Sequence, residues 1–200
     1  KAFEEAAHLD PNNNKAVANQ IRMLEILGEW TKAERLIDNC NKELRENPKI
    51  RGSVARLLMS KQKLEEAAKE YKELCKIEPH ESVNWLNLAA CLRNQQYTHA
   101  SKAILKEGLL RHPKNNDLKQ AFGQALAALG KHKQALKVLE EGLKKSDPNS
   151  KVHLFNLQFI GAGYGLLNAK RRTEIAKNWE SHRYQEGVGA LWGDRIRCPI

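Results

Sequence analysis

Apolar positions recur along this chain in short blocks at helical spacing, and polar breaks separate the blocks. The stretch Trp85–Pro113 shows the pattern most fully. Trp85, Leu88, Ala89 and Leu92 stand at i, i+3, i+4 and i+7, the stripe of a helix with one buried face. A second block follows with Ala100, Ile104 and Leu105, and small residues at Ser101 and Gly108. Gln96-Tyr97 joins the two and Pro113 closes the second. Small residues on a helix face let a neighbouring helix approach closely. The stretch therefore predicts a pair of helices packed against each other.

That pair is copied along the sequence with a period of 34 residues. Ile21, Ala55, Ala89 and Gly123 share one register of the period. Ala33, Ala67, Ser101 and Ala135 share a second, and Cys40, Leu74, Gly108 and Gly142 a third. Gly28, Gln62, Gln96 and Gly130 mark the turn inside each pair. Pro11, Pro48, Pro79, Pro113 and Pro148 lie near the ends of the second helices. One register could agree by chance; four holding a single period identify a repeat.

The pattern resembles the tetratricopeptide repeat family. Ala89, Ser101, Gly108 and Pro113 carry the likeness in the central copy, and Gly123, Ala135, Gly142 and Pro148 in the next. The resemblance implies an all-α, right-handed superhelix, an α-solenoid of helix-turn-helix repeats. It says little about the ligand, because one fold hosts many partners.

The expected organisation is a half repeat at 1–11, full repeats at about 14–47, 48–81, 82–115 and 116–150, and a degenerate first helix at 151–165. Residues 166–200 are expected to hold an atypical capping helix and an irregular tail, since such arrays must cover their last apolar face. In more detail, helices are expected over Asn14–Leu27, Thr31–Glu46, Ile50–Ser60, Leu64–Ile77, Asp117–Leu129 and His132–Lys145. A polar helix is expected over Arg171–Gln185. The chain opens on the second half of a repeat, so it reads as a fragment of a longer protein.

Charge changes the picture more than bulk composition does. The net charge is +10 over 200 residues, which favours acidic partners over basic ones. The alternative is a solubility charge spread over the outer helix faces. The four cysteines, Cys40, Cys75, Cys91 and Cys198, form no CxxC pair, and they are expected to be unpaired thiols in a reducing compartment. No apolar run is long enough to cross a bilayer. The expected location is intracellular, cytoplasmic or nuclear.

In the tetratricopeptide family the first helices line the concave face, and this resemblance places the candidate site. Two residues before each small register stand Asn19, Ser53, Asn87 and Ala121, and Asn156 is expected to continue the row if the pattern persists. Asparagine offers both a donor and an acceptor, which suits it to an extended peptide main chain. One residue past the register stand Arg22, Arg56, Ala90 and Gln124, and Lys15, Lys49 and Arg93 are expected on the same face. Glu25 and Asp117 oppose them. The groove is thus net basic at its N-terminal end, and arginine captures carboxylates through a two-pronged fork. The plainer alternative is that Arg22 pairs with Glu25 three residues on. The expected peptide-binding set is Asn19, Arg22, Lys49, Ser53, Arg56, Asn87, Arg93, Gln124 and Asn156. A carboxylate clamp of the chaperone-adaptor kind does not fit, since of Gly52, Arg56, Asn87, Asp117 and Ala121 only Asn87 matches its pattern.

Catalytic chemistry is not indicated. No histidine pair has zincin spacing, there is no P-loop, and GAGYG at Gly161–Gly165 follows no strand. No cofactor and no metal are expected. Nucleic acid is a poor fit, because the basic residues are not interleaved with exposed aromatics. The expected partner is a protein or extended peptide, with an acidic one favoured by charge. Two alternatives stand beside it. The tail from Ala176, with Trp179, Glu180, Arg183 and Trp192, resembles the connector that follows the repeats in O-linked N-acetylglucosamine transferase and SPINDLY-type glycosyltransferases. That likeness implies a substrate-recruiting arm of an enzyme whose catalytic domain lies beyond residue 200. The other is a self-association module, a homodimer formed through an exposed terminal helix at Lys1–Leu9 or through Leu191-Trp192.

Overall fold

The computed structural model describes residues 14–145, 165, 167–171, 173–174 and 177. The expected half repeat at 1–11, the helix at 151–165 and most of Arg171–Gln185 lie outside the described residues. The helices are α1 (Asn14–Ile26), α2 (Trp30–Asp38), α3 (Lys42–Glu46), α4 (Pro48–Ser60), α5 (Leu64–Ile77), α6 (Ser82–Asn94), α7 (Thr98–Arg111), α8 (Asn116–Ala128) and α9 (His132–Lys145). No strand occurs among the described residues. The chain divides into two compact units, one ending at Leu118 and one beginning at Lys119.

The first unit is a series of antiparallel helix hairpins, α1 with α2, α4 with α5, and α6 with α7. Each hairpin turn has the same cause. Gly28, Gln62 and Gln96 adopt φ of 73°, 62° and 67°, the left-handed conformation that stops a helix. Behind each, an amide reaches back five residues to close the last turn. Glu29 N donates to Leu24 O at 2.9 Å, Lys63 N to Leu58 O at 2.9 Å and Tyr97 N to Leu92 O at 2.8 Å. The turn register read from the sequence is therefore a backbone motif copied with the period.

The three small-residue registers are buried throughout this unit. Ile21, Ala55 and Ala67 expose none of their surface. Ala33, Ala89, Ser101, Leu74, Cys40 and Gly108 are buried with them. Val17, Ile21, Ile37, Leu44, Ile50 and Leu57 form one core between the first two hairpins. Full burial of such a side chain contributes roughly 1.5–3 kcal/mol against exposure.

The expected single helix Thr31–Glu46 is broken. It ends at Asp38, and a separate short helix starts at Lys42. Asn41 is extended, with φ −67° and ψ 171°, and its Oδ1 accepts the Leu44 amide at 2.8 Å as an N-cap. Arg45 then turns back, donating from Nε to Cys40 O at 3.1 Å and from Nη2 to Asp38 O at 2.8 Å. The carbonyls freed by the break thus keep a partner. The next helix starts at Pro48 rather than Ile50, with Asn47 Oδ1 accepting the Lys49 amide at 3.0 Å. Proline at the first helical position loses no hydrogen bond.

A second lock ties the later hairpins. Pro79 O accepts Trp85 Nε1 at 3.0 Å and lies 3.1 Å from His112 Nε2. Asn115 Nδ2 donates to Ser82 Oγ at 2.9 Å. Arg111 stacks its guanidinium on the Trp85 ring, 5.4 Å from the centroid.

The second unit repeats the hairpin with α8 and α9. Gly130, at φ 73°, makes the turn, and Lys131 N closes on Leu126 O at 2.9 Å. Leu126, Ala135, Leu139 and Leu167 form its core. Residues 169–171 and 173–174 are helical, and Arg171 faces Glu140 across 3.8 Å.

Candidate functional site

The first helices of the first unit, α1, α4 and α6, carry the candidate site. Arg22 on α1 and Arg56 on α4 are one period apart. Both reach the same carboxylate oxygen. Arg22 Nη1 donates to Glu25 Oε2 at 3.1 Å, and Arg56 Nε donates to it at 2.9 Å. Arg56 Nη2 also donates to Ser53 Oγ at 2.8 Å. The first bond is the i, i+3 pair expected within α1. The second joins neighbouring repeats.

Burial divides these groups by role. The Glu25 side chain is 3% exposed, against 32% for Arg56 and 55% for Arg22. Glu25 is a buried carboxylate holding two partly solvated cations. Arg22 has only one N–H bonded to Glu25 and Arg56 has two bonded in the network, so each keeps N–H donors free for a ligand. Gly52 contributes space: a Cβ built there would stand 3.5 Å from Arg56 Nη1. A longer side chain would cover that nitrogen.

Tyr71 on α5 backs the network. It is 1% exposed, and its hydroxyl has neighbours in Arg56, Glu25 and Asn87. Asn87 approaches it without a hydrogen bond of full geometry, and the hydroxyl stays enclosed. Burial, opposed by the Arg56 charge, pushes the Tyr71 pKa up to about 12. The phenol is therefore neutral at physiological pH.

The other expected residues are distributed unevenly. Asn19, Lys49 and Arg93 are exposed, and Asn87 is half-buried. Ser53 is corrected: it is 1% exposed, so it supports Arg56 from beneath and does not line a surface. Burial follows from its place beside Ile50 and Leu57 on the packed face of α4. Gln124 belongs to the second unit and is half-buried there, and Asn156 lies outside the described residues. Arg22, Ser53, Arg56 and Asn87 are thus the members brought together. Glu25 and Tyr71 were not in the expected set. Glu25 was visible as an opposing charge and, in the plainer alternative, as the partner of Arg22, but no sequence signal joins it to Arg56 or places Tyr71 behind it.

Cys40, Cys75 and Cys91 are free and buried, as expected, and Cys198 lies outside the described residues. Among the described residues, no cluster of three or more metal-ligating side chains occurs, and no helix is long and apolar enough to cross a membrane.

Known proteins share this architecture. Residues 48–81 match the family model described as tetratricopeptide repeat. No curated protein sequence matches the chain. Among solved structures, MamA (41-end) from Desulfovibrio magneticus RS-1 is 15% identical, with a TM-score of 0.71 over 88% of this chain and 98% of that one. YrrB, described as a TPR protein with an unusual peptide-binding site, is 14% identical, with a TM-score of 0.65 over 93% and 94%. A thermophilic TPR protein from Thermus thermophilus is 18% identical, with a TM-score of 0.67 over 88% and 93%. At such identities the likeness carries the fold and nothing finer. The copied hairpins, the matched segment and these neighbours agree on the fold: residues 48–81 match a tetratricopeptide repeat, and the chain has the helix-hairpin architecture of the solved tetratricopeptide repeat proteins.

Proposed function

We propose that this chain is a scaffold module that binds a protein or extended peptide along its first helices, with no catalysis of its own. The observation that supports it best is the pairing of Arg22 and Arg56 on the buried Glu25 carboxylate. That arrangement holds two guanidinium groups in fixed places with N–H donors to spare. Asn87, half-buried one repeat further along, adds a main-chain partner on the same series of helices. Asn19, Lys49 and Arg93, exposed on the first unit, extend the proposed contact.

Charge selects the kind of peptide. The chain carries +10, and Lys49 and Arg93 are exposed. An acidic segment is therefore the preferred occupant. YrrB, whose description includes a peptide-binding site, shares the fold along almost its whole length. The free thiols Cys40, Cys75 and Cys91 suit a reducing, intracellular setting.

The test is peptide binding by the double variant Arg22→Ala, Asn87→Ala. Peptides selected on the wild-type protein from a random library would be titrated by fluorescence anisotropy. Both residues are solvent-facing enough for the fold to persist, which circular dichroism checks. A loss of roughly tenfold or more in affinity is expected from removing two side chains that each contribute about 1 kcal/mol. Unchanged affinity in a folded double variant removes the proposal.

A further inference from the structure

We infer that Glu25 sets the charge of this site so that it favours a carboxylate over a phosphate. The inference rests on the peptide-binding reading above and names the anion that the peptide would present. Two guanidinium groups meet one carboxylate, so the bonded network of Arg22, Arg56 and Glu25 keeps a single positive charge. The remaining members, Ser53 and the neutral Tyr71, add none.

Three features tie the Glu25 carboxylate to the two arginines and keep it apart from the ligand. Its side chain is 3% exposed, so solvent does not screen it as it screens a surface pair. Its Oε1 is enclosed and has no hydrogen-bond partner, so no third cation cancels it. Its Oε2 takes both arginines, which leaves the outward N–H groups of Arg22 and Arg56 for a ligand. A carboxylate side chain carries one negative charge and balances the network. A phosphomonoester carries about −1.5 to −2 at neutral pH and leaves an excess held against a buried anion. Glu25 is thus a specificity-determining residue that does not itself touch the ligand.

The experiment uses the whole chain, with the Nε–H signals of Arg22 and Arg56 followed by NMR. Acetate and inorganic phosphate are titrated separately into wild type, Glu25→Gln and Arg22→Gln. Glutamine keeps the shape and an acceptor oxygen and removes the charge. In Glu25→Gln the phosphate-to-acetate affinity ratio should rise by on the order of tenfold, the effect of one unit charge at partly screened distance. In Arg22→Gln the ratio should fall. Should Glu25→Gln fail to fold, Arg22→Gln decides by itself, since an unchanged ratio there overturns the inference. An unchanged ratio in a folded Glu25→Gln overturns it too. Peptide binding is scored separately. Library peptides that never bind, alongside a ratio that shifts as stated, defeat the peptide reading and uphold the charge assignment.

Discussion

Arg56 Nε lies 2.9 Å from Glu25 Oε2, a bond between two residues 31 positions apart on successive first helices. This bond joins one repeat to the next through a buried acceptor. Removing Arg56 leaves the Glu25 carboxylate enclosed with Arg22 as its remaining cation. Arg56→Met should therefore cost about 1–3 kcal/mol, the penalty of stranding a buried polar group. Arg22→Met should cost less, about 0–1 kcal/mol, because Arg22 is the more exposed partner and the Arg56 bond survives. Urea denaturation of the two variants checks the order. Equal losses would mean that the inter-repeat bond adds nothing beyond the local one.

The turn register makes a second prediction. Gln62 and Gln96 hold φ of 62° and 67°, where the other two copies have glycine. A side chain with a Cβ pays steric cost in that conformation, while glycine pays more entropy on folding. The first term is the larger, so Gln62→Gly and Gln96→Gly should each stabilise the fold by about 0.5–1 kcal/mol. Gly28→Ala should destabilise by about 1 kcal/mol for the same reason. Thermal melts of the three single variants give the signs, and a loss on either Gln→Gly change would contradict the account.

Those turns were legible in the sequence because each is a local event fixed by one residue and its period. The small-residue registers were legible for a related reason: a close helix contact demands a small side chain wherever it recurs. The break at Asn39–Asn41 was missed, although Asn41 is a strong N-cap type. The apolar stripe through Ile37, Cys40 and Leu44 continues at helical spacing across the break, and so hides it. The site was legible only where it is local. Arg22 and Glu25 are three residues apart, so their pairing follows from helix geometry. The Arg56 bond to Glu25 and the place of Tyr71 depend on how adjacent helices rotate against each other. Periodicity does not carry that information, and it misplaced Ser53 on the lining for the same reason.

Glycines inside the helices should respond in opposite ways to the same change. A Cβ at Gly52 would meet Arg56 Nη1 at 3.5 Å and Leu74 Cδ1 at 4.0 Å, ordinary contacts. Gly52→Ala should then gain about 0.5–1 kcal/mol from helix propensity. A Cβ at Gly123 would meet Leu139 Cγ at 2.8 Å, and Leu139 exposes none of its surface. At Gly108 it would stand 3.0 Å from Trp85 Cβ and 3.3 Å from Leu118 Cδ2. These two substitutions overpack a closed contact and should cost about 1–3 kcal/mol. Chemical denaturation of all three variants tests the split. Stabilisation by Gly123→Ala would show that the second unit is looser than its packing implies.

Alkaline pH should unfold this protein through three buried acids. Burial pushes the Cys75 thiol up to about 12, with Glu107 adding to the effect, and the Cys91 thiol up to about 11. Tyr71 is pushed up to about 12, also by burial first. Each folded value lies above the ordinary value of 9.0 for the thiols and 10.0 for the phenol. The unfolded chain therefore loses protons first as pH rises, and the folded state loses stability with it. The contribution is fully present below pH 9, and it declines through pH 11 to 12. The melting temperature should fall steadily above pH 9, and Cys91→Ala should flatten the part of that fall between pH 9 and 11. Tyr71→Phe should flatten the part between pH 10 and 12, and it should cost little at neutral pH because the hydroxyl has no well-formed hydrogen bond to lose. A melting temperature that is level from pH 8 to 11 would mean that these groups reach solvent before the chain unfolds. Thiol labelling at pH 8 gives the independent check: Cys75 and Cys91 should react only as fast as the chain opens, since the thiolate is the reactive form and burial suppresses it.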